Sequence, residues 1–74
     1  MKKAMLTNRQ LSEILDPDVY EKWSWSMLTV YLVCSDTGIS FQVDDWYDNT
    51  VCIAATLTGL NNYLKEHGED GKEQ

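Results

Sequence analysis

One histidine, one proline and six basic side chains are all the 74-residue sequence holds of those types. Each scarcity excludes something. Six Lys and Arg stand against twelve Asp and Glu, for a net charge of −6. Nucleic-acid affinity comes largely from cationic side chains that neutralise phosphate, so this balance argues against direct contact with DNA or RNA. It argues equally against an anionic membrane surface. The only histidine, His67, stands near the C-terminal end, and no glycine-rich phosphate loop is present. A cysteine nucleophile needs a neighbouring base and a third group to orient that base. With these parts missing, no catalytic set assembles around Cys34 or Cys52, and the expectation is a protein that is not an enzyme and uses no cofactor.

Long apolar runs are missing too. The longest, near Met27 to Cys34, is interrupted by Thr29 and is far short of a membrane span. Lys2 and Lys3 precede only Ala4-Met5-Leu6 before the polar Thr7-Asn8-Arg9-Gln10, so there is no apolar core of a signal peptide. The expected location is therefore the cytoplasm, where two cysteines read most simply as buried thiols.

What is present suffices for one small core. Apolar residues make up 43% of the chain, including three Trp, four Tyr and one Phe, and each aromatic ring contributes a large area of contact. A chain of this length buries only roughly 60% of its unfolded surface, so such a core is marginal without reinforcement.

Thr7-Asn8-Arg9-Gln10 fits a capping box, and Leu11, Ile14 and Leu15 follow at helical spacing. Pro17 ends that helix. Asp16-Pro17 then opens a second short helical stretch to about Trp23, angled to the first. From Ser26 to Cys34, β-branched and aromatic residues mark a strand. Leu28, Val30, Leu32 and Cys34 form its core face, and Met27, Thr29, Tyr31 and Val33 the other. Asp36-Thr37-Gly38 signals a tight turn, and Ile39, Phe41 and Val43 alternate with polar residues in a second strand.

The stretch after Asp48-Asn49-Thr50 has two readings. Val51 to Ala55 is either a third strand leading to a helix from about Thr56, or part of one long helix from Thr50. The β-branched residues and the capping potential of Thr56 and Thr58 favour the strand. The last helix ends at His67-Gly68, with glycine beyond its terminus. The expected fold is thus α+β: a two- or three-stranded antiparallel sheet with an N-terminal and a C-terminal helix on one face. Residues 1–68 form the domain, and 69–74 a disordered acidic tail.

The most distinctive segment is Asp44-Asp45-Trp46-Tyr47-Asp48. It lacks the glycine and the distal glutamate of a calcium loop, so no metal site is expected. As an exposed acidic-aromatic loop it would offer aromatic anchors flanked by carboxylates, suited to Arg or Lys on a partner. In the alternative, Trp46 folds onto the core, the commoner use of Trp in a small domain. Trp23 and Trp25, with Tyr20, are read as packing between the helices and the sheet, since large exposed apolar patches are uncommon in monomers.

The functional expectation is a protein-binding module that engages a basic surface of another protein through Asp44, Asp45, Trp46, Tyr47 and Asp48, with Asp36 and Glu21 as additions. Its size and acidity are in the style of small phage or mobile-element antagonists, some of which imitate DNA. Two alternatives stand beside it. One is a homodimer whose covered sheet face mainly stabilises the fold. The other is a DNA-binding regulator using the N-terminal helix.

Overall fold

In the computed structural model, which describes residues 2–67, four antiparallel strands pair in chain order. They are β1 (Lys2–Met5), β2 (Thr29–Ser35), β3 (Gly38–Asp44) and β4 (Thr50–Ala54). Helices α1 (Asn8–Ile14) and α2 (Pro17–Ser24) connect β1 to β2, and α3 (Leu57–His67) follows β4. The α+β class and the antiparallel sheet match expectation, and the strand reading of 50–54 is the one the chain adopts. Two features differ: the sheet has four strands, and three helices form the second layer. The expected Gly68 cap and the acidic tail lie outside the described residues.

The strand missing from the sequence reading is β1. Its four residues are all exposed and show no alternation. Its partner is distant in sequence, with Lys2 opposite Cys34 and Met5 opposite Tyr31. A short lysine-bearing strand of this kind is how sheet edges are commonly protected, and its pattern resembles that of a loop.

Register assigns the faces. Ala4, Leu32, Phe41 and Ala54 lie across the sheet on one side, as do Val30, Val43 and Cys52. This side meets the helices, whose Leu11, Leu15, Val19 and Trp23 recur every four residues through the α1–α2 joint and bury with Leu60 and Leu64 of α3. Leu11, Leu60, Leu64, Val30 and Val43 are the largest fully buried side chains. The expected core face of β2 holds at Leu28 and Val30, but Cys34 is exposed and Leu32 half-buried. Cys34 and Ile39, paired at the hairpin end of the sheet, are both exposed.

Local bonds fix the connections. Thr7 and Gln10 complete the capping box in both directions. Asp16 occupies the N-cap of α2 without a side-chain cap bond. Its backbone N–H instead donates to Asn61 Oδ1 of α3 at 3.0 Å. The Lys22 ammonium donates to the Lys65 carbonyl at 2.6 Å, tying α2 to the end of α3. Thr56 caps α3, accepting from the Gly59 N–H at 3.0 Å. Between β2 and β3 the chain reverses at Asp36-Thr37, where no side-chain-bearing residue has positive φ. Gly38, at φ 131°, takes up the conformation that L side chains rarely adopt.

Candidate functional site

Trp46 and Tyr47 sit on the β3–β4 turn and are 51% and 77% exposed. Trp46 therefore does not fold onto the core. The turn holds them by means of Asp45. One carboxylate oxygen, Oδ1, accepts from the backbone N–H groups of Tyr47 and Asn49, each at 2.9 Å. The Asp45 N–H donates to the Asn49 carbonyl at 2.9 Å, and the Asp48 N–H to the Asp45 carbonyl at 3.2 Å. Asp48 takes φ 63°, a left-handed conformation that Asp tolerates better than most residues. Two consecutive aromatic rings are thus presented on a braced turn.

The other expected site residues do not converge there. Asp44 is only 6% exposed. Its Oδ1 accepts from Gln42 Nε2 and from the Thr50 hydroxyl, both at 2.9 Å. Gln42 also donates to Thr50 Oγ1 at 3.0 Å. Lys3 reaches across the sheet face, its ammonium 4.2 Å from the Tyr31 ring centre and 3.9 Å from Asp44 Oδ2. Asp44 thus joins strands on the sheet face away from the helices and cannot present its charge to a partner. Asp45 is occupied by the turn, which leaves Asp48 as the exposed carboxylate of the segment.

Asp36 belongs to the β2–β3 turn, at the opposite end of β3. Seven strand residues separate it from the aromatic turn, about 20 Å at the usual rise. Asp36 therefore does not share a site with Trp46. Glu21 is exposed on α2, in the helical layer.

Of the three rings that the sequence reading assigned to packing, Trp23 is buried and Tyr20 packs half-buried against the core, and Trp25 alone faces solvent. Trp23 is buried and its indole N–H donates to the Leu28 carbonyl at 3.0 Å. Trp25, two residues on, is 67% exposed. An extended backbone would have put both rings on one side. Here α2 runs through Ser24 and Trp25 caps it in an α-type conformation, so the rings diverge. Trp25 and the exposed Met27 lead into β2, whose first residue, Thr29, pairs with Asp44. The exposed Met5 closes β1 opposite Tyr31, near that same end. A cleft of about 300 Å³ opens there between β1, the end of α2 and the start of β2, with Met5, Asn8, Ser24, Ser26 and Thr29 around it and Trp23 and Leu28 in its lining.

Cys34 is exposed and Cys52 half-buried, and both are free thiols. Burial pushes the Cys52 thiol above its ordinary pKa. His67 stacks on Tyr63, with ring centres 4.8 Å apart. Among the described residues no cluster of three His, Cys, Asp or Glu side chains could hold a metal ion, and no helix is long and apolar enough to cross a membrane. Comparison with protein-family models, with curated proteins and with solved structures finds no match to this chain.

Proposed function

We propose that this chain is a non-enzymatic protein-binding module that docks through the sheet end carrying Trp46 and Tyr47. The observation behind this reading is the exposure of both rings on a turn braced by Asp45. Aromatic side chains are the commonest anchors of protein interfaces. Presenting them on a braced turn lowers the ordering entropy that binding must overcome. Trp25, Met27 and Met5 are further exposed apolar side chains, and the cleft beside Met5 and Ser26 offers a recess for a partner's side chain. The net charge of −6 and the exposed Asp48 favour a partner with a basic surface, whose approach the negative field would accelerate. An inhibitor or antagonist of a basic protein is the role that best fits such a surface.

The test is affinity capture from host-cell lysate with tagged wild type and the Trp46→Ala/Tyr47→Ala double variant, at low and high salt. The expected result is a partner retained by the wild type, lost with the double variant and weakened by salt. Both rings are exposed, so circular dichroism should show the variant folded. If a folded variant retained the same partners, docking through this turn would be wrong.

A further inference from the structure

We infer that the outer edge of β4 pairs with the same edge of a second copy, continuing the sheet across a two-fold axis. This interface is separate from the aromatic end and rests on different observations. β1 and β4 are the two edge strands of the sheet. An edge strand presents unpaired N–H and C=O groups, and natural sheets usually blunt it with charge. β1 is blunted in this way, by Lys2 and Lys3. β4, Thr50-Val-Cys-Ile-Ala54, has no charge at all. It belongs to a run of sixteen residues, Asn49 to Leu64, without a single Asp, Glu, Lys, Arg or His. The next longest uncharged run, Trp23 to Ser35, is thirteen residues and includes β2, a strand paired on both sides. Ile53, 68% exposed, and the exposed Val51 and Leu57 add apolar surface along this strip.

Charge selects the occupant. A basic partner would find no carboxylate on this strip to pair with. Two copies that each carry −6 repel one another, and a neutral strip on an open sheet edge is where they can approach closely. A two-fold contact joins a patch to itself, and two copies of one edge meet in that way as antiparallel strands. In that arrangement Asp45 and Asp48, beyond the Thr50 end of one β4, face the Ala54–Thr56 end of the other, which carries no charge. The register of β4 against β3 shifts between Val43 and Asp44, leaving Val51 without a cross-strand partner. Cys52–Ala54 is therefore the regular stretch, and the pairing centres on Ile53. A strand this short, flanked by three apolar side chains, buries an area near or below the low end of specific interfaces, about 1,200 Å². The dimer is accordingly weak and concentration-dependent.

Sedimentation velocity on the full chain, from low micromolar to near-millimolar concentration and at two salt levels, provides the test. The mass should rise from 8.5 kDa toward twice that value, and added salt should not weaken the association. Hydrogen exchange on the unmodified chain should show amides of Cys52–Ala54 gaining protection as concentration rises. Ile53→Lys should hold the chain at the monomer mass while circular dichroism stays unchanged. A monomer at every concentration would overturn the inference, as would a dimer that Ile53→Lys leaves intact. A dimer lost in Trp46→Ala/Tyr47→Ala and dissociated by salt would overturn it too, in favour of association through the aromatic end.

Discussion

Replacing Asp45 by Ala removes the oxygen on which the aromatic turn is built. Both side-chain bonds end on Oδ1, at 2.9 Å each, so one atom satisfies the N–H groups of Tyr47 and Asn49. The two backbone bonds across the turn survive the substitution. Loss of a comparable capping side chain costs about 0.5–2 kcal/mol. Two bonds to a charged, half-buried acceptor place Asp45→Ala in the upper part of that range, about 1–2 kcal/mol. A chain of this length is stable by on the order of 4–11 kcal/mol, and Tm falls about 4–8 °C per kcal/mol in domains of this size. Asp45→Asn keeps an oxygen where Oδ1 stands and loses only the charge assistance, so it should cost less than half as much. Urea unfolding followed by tryptophan fluorescence reads the difference, with buried Trp23 as the reporter. The midpoint should shift at constant m. If Asp45→Ala unfolded at the wild-type midpoint, or Asp45→Asn lost as much as Asp45→Ala, the carboxylate oxygen would not be what holds the turn.

Leu60 is fully buried between α3 and the sheet, so Leu60→Ala should cost about 2–5 kcal/mol. A melt followed by circular dichroism would contradict this packing if the loss were under about 1 kcal/mol. Trp23→Phe keeps most of the ring but leaves the Leu28 carbonyl without the indole N–H that meets it at 3.0 Å. The expected loss is about 1–3 kcal/mol by equilibrium unfolding, and a neutral result would mean that water replaces the bond. Burial raises the Cys52 pKa in the folded chain. The unfolded chain then releases that proton first as pH rises, so the contribution of this group is complete below its unfolded pKa and declines through the alkaline range. Iodoacetamide should modify Cys52 only at higher pH in the folded chain than in urea, and Cys52→Ser should flatten the alkaline fall in stability. An unchanged fall would assign it to other groups.

Local chemistry was legible wherever neighbours in sequence are also neighbours in space. The capping box at Thr7 and Gln10, the break at Asp16-Pro17, the glycine of the β2–β3 turn and the cap at Thr56 all answer to bonds spanning a few residues. Alternation along β3 places Phe41 and Val43 on the side that meets the helices, while Ile39 on the same side is 60% exposed at the hairpin end. The same reasoning fails for β1, whose exposed Lys2–Met5 carries no period and becomes a strand only because β2 runs beside it. It fails for Trp25 as well, where one residue's backbone conformation decides whether a ring packs or faces water.

Composition and order in the chain determined the α+β class, the absence of charge between Asn49 and Leu64, and the clustering of Trp46 and Tyr47 with aspartates. Tertiary structure alone decided what those aspartates do. Asp44 is drawn into bonds with Gln42 and Thr50 and lies beside Lys3, Asp45 is bound to its own turn, and Asp36 is carried to the far end of the sheet. The physical reason is that a carboxylate's role depends on the donors brought to it, and strand pairing brings Lys3, Gln42 and Thr50 together from three separate parts of the chain.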